Sequence, residues 1–223
     1  MNTEFIYWRH IIPQGIKIEE ITGREDKSGK VWRTLAYQVY GENGKTDFRT
    51  ISHTPLGAPL IDNENARISV SHADRMLVVA SLPKTPEIDL TDFNTRTAVG
   101  VDTERQDREQ VLKIRSKFLS DSELTAIPQD DVTANLIAWT AKEALYKAAL
   151  LSTIEYRNDL RIVTLPTLQT QFPLSSDSSV EGKALIRRPE GEYPFDLISY
   201  LSDGYIITVA FSPKCAKFKK SSR

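Results

Sequence analysis

"SHADRMLVVASL", Ser71 to Leu82, opens on an Asp-led turn and runs into a β-branched apolar stretch; about 129 residues later "YLSDGYIITVAFS", Tyr200 to Ser212, does the same. Aligned on Asp74 and Asp203, Met76-Leu77-Val78-Val79 falls on Tyr205-Ile206-Ile207-Thr208. A short polar pair (Asp-Arg or Asp-Gly) between two such runs reads as a tight hairpin, because aspartate and glycine tolerate the left-handed backbone a two-residue turn needs. The first arms of the hairpins are then "ARISVSH" and "PFDLISYL". One hairpin in each half predicts a duplicated α+β unit, in which each half packs an antiparallel sheet on a long helix. The division falls between residues 1–97 and 98–223, with "LPKTPEIDLTDFNTRT" (Leu82–Thr97), rich in proline and turn formers, as the joining loop.

The helices follow from the 3.6-residue period. In the first half "DKSGKVWRTLAYQVYG" sets Val31, Leu35, Ala36 and Val39 on one face and offers Gly41 as a stop. In the second, "DREQVLKIRSKFL" carries Val111, Ile114 and Phe118 at helical spacing. "SDSE", Ser120 to Glu123, reads as a capping box opening a further short helix, with Glu123 as part of the cap. The longest helix is expected from about Asp131 to Leu151, capped by Asp130 or Asp131. Ile137, Ala141, Ala144, Leu145 and Ala148 form its buried stripe, while Trp139, Glu143 and Lys147, at i, i+4 and i+8, share another face. "LQTQFPLSSDSSVEG" reads as a surface loop.

The chain has 223 residues, 40% of them hydrophobic, enough for one large domain or two of about 100 residues each. The formal net charge is -1, so bulk charge points to neither nucleic acid nor membrane. The basic tail "PKCAKFKKSSR" reads as a solvated terminus or, as the sharper alternative, an electrostatic arm for a phosphate or an acidic partner. Cys215 is the single cysteine, which rules out an internal disulfide and suits a reducing compartment. Glu4, Arg9 and Pro13 interrupt any apolar core a secretory signal would need, and no apolar run approaches the ~18 residues of a membrane span. The expected location is the cytoplasm.

Chemistry concentrates in "AVGVDTERQ", Ala98 to Gln106, and "AWTAKEALYKAAL", Ala138 to Leu150. Residues two apart on a strand point the same way, so Asp102 and Glu104 present two carboxylates together. Like charges at that spacing repel unless a cation lies between them, and hard oxygen ligands of this kind suit Mg2+. Glu143 closes such a site if the long helix packs over the strand. Taken alone, D-x-E reads as a strand end with solvated acids and E-x-x-x-K as an ordinary i, i+4 ion pair; together they are far more specific.

"VGVDTE" followed about 35 residues later by "WTAKEALYK" resembles the signature of the 4'-phosphopantetheinyl transferase superfamily, a D-x-E strand and a W-x-x-K-E-x-x-x-K helix. "RISVSHAD", upstream of both motifs, resembles the family's serine-histidine segment, and "FLSDSEL" resembles its F-x-x-x-E stretch between them. The length and the two similar halves resemble the larger, Sfp-like subgroup, whose single chain folds as a pseudo-dimer. That resemblance implies Mg2+- or Mn2+-dependent transfer of the phosphopantetheine arm of coenzyme A to a serine of an apo acyl- or peptidyl-carrier protein, releasing 3',5'-ADP. It implies Asp102, Glu104 and Glu143 as metal ligands, Glu143 also as the base for the serine hydroxyl, and Lys147 as the partner of the pyrophosphate. Lys142 is implied as a second phosphate contact, His72 with Ser71 as holders of a coenzyme A phosphate, and Arg33-Thr34 as contacts of the nucleotide 3'-phosphate. The first half is then the nucleotide side, and the enzyme a monomer.

Two features depart from the family pattern. "LGAP" has Ala58 where related proteins carry a lysine, and "KAALLSTIEY" lacks the glycines that commonly follow the helix motif. The alternative is a non-catalytic relative that binds coenzyme A or a carrier protein, against which the retained carboxylates and Lys147 argue. A metal-dependent nuclease fits poorly, since that chemistry wants E-x-K on strands and a basic surface.

Overall fold

The computed structural model describes residues 5–11, 17–23, 51–53, 59–61, 66–83, 98–151, 153–170 and 182–212. The expected first-half helix, with Arg33 and Thr34, lies outside them, as do Ala58, the joining loop from residue 84 to 97 and the basic tail. The fold is α+β, built on antiparallel sheets with few helices among the described residues. Strands β1 (Phe5–Ile11), β2 (Lys17–Gly23), β3 (Ile51–His53), β4 (Pro59–Ile61), β5 (Ala66–Ala73) and β6 (Met76–Pro83) come first. They form a four-stranded sheet ordered β1-β2-β6-β5 and a separate β3-β4 pair. Then follow β7 (Val99–Arg105), helices α1 (Gln110–Phe118), α2 (Asp121–Ala126) and α3 (Val132–Ala149), and strands β8 (Leu160–Thr164), β9 (Leu168–Gln169), β10 (Gly182–Arg188), β11 (Gly191–Ser202) and β12 (Tyr205–Phe211). The second sheet runs β7-β12-β11-β10-β8, with β9 pairing parallel to β11. No helix among the described residues is long and apolar enough to cross a membrane.

Both hairpins are present. Ala73 pairs with Met76 across Asp74-Arg75, and Ser202 with Tyr205 across Asp203-Gly204. Asp74 and Asp203 adopt φ of 47° and 46°, the left-handed region in which aspartate is tolerated better than most residues. Their inner faces meet: Met76, Val78 and Ala80 of β6 share one core with Tyr205, Ile207, Val209 and Phe211 of β12, alternate residues on each strand. Val99 and Val101 of β7 join them.

The edge of β7 opposite β12 is answered by side chains rather than by a second ladder. The Val101 N–H donates to Ser69 Oγ at 3.0 Å and the Thr103 N–H to Ser71 Oγ at 3.3 Å. Two hydroxyls on β5 thus satisfy peptide donors that burial would otherwise leave unpaired, a defect of about 1–3 kcal/mol each.

α3 begins where expected, with Asp131 at the N-cap accepting from the Ala134 N–H at 2.9 Å. Its apolar stripe, Ile137, Ala141, Ala144, Leu145 and Ala148, is buried. The four last-named side chains pack with Leu160, Ala184, Ile186, Phe195 and Leu197. Small alanines let the helix approach β7 so closely that a Cβ on Gly100 would lie 1.9 Å from the Ala144 carbonyl oxygen and 2.8 Å from the Ala148 nitrogen. Both are helix backbone, which cannot swing aside. Gly100→Ala is therefore expected to force α3 off the strand and cost about 3 kcal/mol of stability, read as a lowered midpoint in urea. An unchanged midpoint would mean that the helix sits further out. α3 ends on Leu150 at φ 54°, a left-handed conformation that costs a non-glycine residue about 1–2 kcal/mol; this is where the missing glycines of "KAALLSTIEY" are felt.

Candidate active site

The geometry starts from that close packing. β7 turns Asp102 and Glu104 to one side, and α3 brings Glu143 and Lys147 over it. Asp102 is buried, and its Oδ1 accepts from Lys147 Nζ at 2.7 Å and from the Ser71 hydroxyl at 2.8 Å. Lys147 Nζ also donates to the Val101 carbonyl at 3.0 Å, so one ammonium bridges the main chain and side chain of the strand. Glu104 Oε1 accepts from the Trp139 indole N–H at 3.2 Å and is ion-paired to Arg108. Glu143 Oε1 accepts from the Tyr156 hydroxyl at 3.0 Å. Trp139, Glu143 and Lys147, one turn apart along α3, therefore each engage a group of the site.

Electrostatics couples the acids. Burial pushes the Glu143 carboxyl above its ordinary range, and the negative charge of Asp102 pushes the same way, as more weakly does Glu104. The Tyr156 hydrogen bond and the Lys147 charge pull against them. The Tyr156 phenol is itself raised, by burial first and then by the Glu143 charge.

Among the described residues no three acidic, histidine or cysteine side chains are drawn together tightly enough to ligate one ion. The donor chemistry nonetheless suits a hard divalent cation. Every hydrogen bond that Asp102, Glu104 and Glu143 accept among the described residues lands on one oxygen of each, and two of the three already hold a cationic side chain, Lys147 or Arg108. Glu143, whose proton affinity the charges of Asp102 and Glu104 help to raise, belongs with them to a set of three carboxylates for which a divalent ion is a natural counter-charge.

Beside Glu104 opens a cavity of about 560 Å3 lined by His72, Glu104, Arg105, Asp107, Arg108 and Gln110, with the β5–β6 turn on one wall. His72 is exposed at its rim, whereas Ser71 is buried against Asp102. The imidazole and two guanidiniums of this cleft stand beside three carboxylates, and the guanidiniums are ion-paired to them, Arg105 to Asp74 and Asp107 and Arg108 to Glu104, so an anion would have to displace one of those pairs.

Lys142 is placed elsewhere, and here the expectation of a phosphate contact is corrected. Its side chain is fully buried on the other flank of α3, and Nζ donates to Glu123 Oε2 at 2.7 Å, the Phe118 carbonyl at 2.7 Å and the Tyr156 carbonyl at 2.8 Å. With its three protons so used, the ammonium has nothing left for a ligand. Burial pulls its pKa down to about 8, against the raising effect of Glu123. Glu123 closes the expected capping box, accepting from the Ser120 N–H at 2.7 Å while its own N–H donates to Ser120 Oγ, and its Oε1 accepts from the Ile162 N–H at 2.7 Å.

Sequence reasoning did not single out Tyr156, Arg108 or Ser69: the Ser69 contact exists only once β5 and β7 have met and the Tyr156 contact only once its segment folds back on α3, whereas Arg108 pairs with Glu104 at the local i, i+4 spacing that could have flagged it. For Tyr156 the one available hint was an aromatic residue in the short segment directly after α3.

A family model described as the 4'-phosphopantetheinyl transferase superfamily matches residues 98–210, from the residue before β7 to the penultimate residue of β12. Asp102, Glu104, Glu143 and Lys147 all lie inside that stretch. No curated protein matches the chain.

Proposed function

The chain belongs to the 4'-phosphopantetheinyl transferase superfamily, and on that premise we propose that it moves the phosphopantetheine arm of coenzyme A onto a serine of an apo acyl- or peptidyl-carrier protein. We read it as a pseudo-dimeric, Sfp-like member that acts as a cytoplasmic monomer. The observation that supports this reading is the ion pair of Asp102 with Lys147, with Glu143 on the same helix close enough to feel the charges of Asp102, Lys147 and Glu104, beside a cleft lined by His72, Glu104, Arg105 and Arg108.

In the reaction proposed, the serine oxygen bonds to the phosphorus that carries the pantetheine arm, and the bond from that phosphorus to the oxygen of 3',5'-ADP breaks. The serine proton goes to Glu143, whose carboxyl is pushed by burial and by Asp102 towards a stronger proton affinity than an exposed glutamate has. Lys147, fixed between Val101 and Asp102, meets the pyrophosphate as a compact positive charge. His72 at the cleft rim binds a phosphate of coenzyme A, with Ser71 holding Asp102 in place behind it. Arg33 and Thr34 contact the nucleotide. Asp102, Glu104 and Glu143 would hold Mg2+ or Mn2+, which when bound would supply counter-charge to the 5'-phosphate oxygen that leaves with 3',5'-ADP.

The test is to incubate the full chain with coenzyme A, MgCl2 and a panel of apo carrier proteins, and to weigh each carrier by mass spectrometry. A gain of one phosphopantetheine arm is expected with at least one carrier, and is lost when EDTA removes the metal. No gain with any carrier, alongside measurable coenzyme A binding, would favour the non-catalytic alternative.

A further inference from the structure

Glu143 has one protein hydrogen-bond donor among the described residues, the Tyr156 hydroxyl, and that hydroxyl is fixed from several sides. The Tyr156 carbonyl accepts from the buried Lys142 ammonium at 2.8 Å, which pins the backbone of its segment to α3. Its ring stacks on Trp139 at 6.2 Å between centroids and 20° between planes, and on Tyr146 at 5.2 Å and 27°. Trp139 is held edge-on by Phe118 at 5.1 Å. Its indole N–H donates to Glu104, so two stacked rings each hold one carboxylate of the cluster by one oxygen.

We propose that Tyr156 is a positioning residue for the active site: its hydroxyl fixes one oxygen of Glu143 so that the other is presented to a divalent cation, with Trp139 doing the same for Glu104. This rests on the reading of Asp102, Glu104 and Glu143 as a metal-holding set. The physical reason is orientational. A glutamate on a helix has three rotatable bonds, and locking one oxygen with a donor that cannot move removes most of that freedom before the ion arrives. The hydroxyl is neutral, so it steers the carboxylate without cancelling the charge the ion needs. Nor is the tyrosine free to follow Glu143 away from the site, since Lys142, Trp139 and Tyr146 hold the rest of it.

Tyr156→Phe removes the hydroxyl and keeps the stack. Mn2+ is titrated into the full chain with and without coenzyme A, the free ion being read by electron paramagnetic resonance, and thermal melts are recorded in parallel. Tyr156→Phe is expected to weaken Mn2+ binding about tenfold, the scale of an outer-sphere hydrogen bond to a ligating carboxylate, with little change in melting. Tyr146→Phe, which keeps the same stack, is expected to bind like the wild type. In turnover, Tyr156→Phe should lower kcat by a similar factor and leave KM for coenzyme A unchanged, a split that a general loss of structure would not give. Unaltered Mn2+ affinity and kcat in Tyr156→Phe would overturn the proposal, and so would a wild-type chain that binds no Mn2+ under either condition. If the wild type binds Mn2+ in a Tyr156-dependent way but modifies no carrier, the positioning role stands and the transferase reading falls.

Discussion

Glu123→Ala lowers the stability of the fold by about 3–5 kcal/mol, the cost of breaking a buried ion pair by removing one partner. Lys142 is fully buried, and Glu123 is the only acidic group paired with it among the described residues. The Phe118 and Tyr156 carbonyls remain in the variant as acceptors, yet neither carries a full charge. The same deletion strips the acceptor from the Ser120 and Ile162 N–H groups, so α2 loses the glutamate half of its capping box, Ser120 Oγ still accepting from the backbone N–H of residue 123, and β8 loses its tie to α2. The loss also depends on pH. The Lys142 pKa is already drawn down to about 8 by burial, and without Glu123 it falls further. Between the folded value and the ordinary 10.5 the unfolded chain binds more protons than the folded one, so stability rises with pH across that window. Urea unfolding at pH 7 and at pH 9.5 should therefore show the Glu123→Ala deficit shrinking at the higher value. Adding Lys142→Met removes the stranded charge and recovers part of the loss, but not the part owed to the two N–H groups. A deficit below about 1 kcal/mol at pH 7 would show that water reaches Lys142 and that its burial is not what the fold depends on.

Asp102→Asn is expected to cut transfer by at least about 100-fold while shifting stability by less than about 1 kcal/mol. The amide keeps an oxygen for the Ser71 hydroxyl and for Lys147, and Lys147 retains the Val101 carbonyl as well, so the packing of α3 on β7 survives. What disappears is one of the three negative charges that, in the proposed reaction, would hold a divalent ion. Relief of the repulsion felt by Glu143 offsets much of the weakened ion pair to Lys147. Glu143→Gln should be as damaging to turnover, because on the proposed reading it removes both a ligand and the base. Carrier mass gain measured beside a thermal melt separates the two effects. Normal turnover by either variant in Mg2+ would sink the metal assignment.

Much of this was open to reading from the sequence because the determinants are local. The Asp74 and Asp203 turns, the Ser120–Glu123 cap and the start of α3 at Asp131 each depend on residues within four positions of one another. Gly100 could be read as part of a motif, but its cause could not: the glycine exists because Ala144 and Ala148, over forty residues on, bring helix backbone to where a Cβ would stand. Lys142 shows the opposite error. Helical spacing sets it about 100° from Glu143, off the face that Trp139, Glu143 and Lys147 share, and family resemblance drew it to the phosphate all the same. Period was the better guide. Tyr156 was invisible because a hydrogen-bond partner supplied by a segment that folds back on the helix leaves no periodic trace, whereas the Glu104–Arg108 pair, four residues apart, was local and could have been read.

The serine hydroxyls along β7 also bear on how the protein behaves in a crowd. An outer strand whose peptide groups are unclaimed invites a like strand from another molecule to zip onto it, the first step towards swapped or aggregated chains. On β7 the Val101 N–H is taken by Ser69, the Thr103 N–H by Ser71 and the Val101 carbonyl by Lys147. An intruding strand finds these groups already engaged, and the chain meets the hazard of an open sheet margin with two hydroxyls and an ammonium.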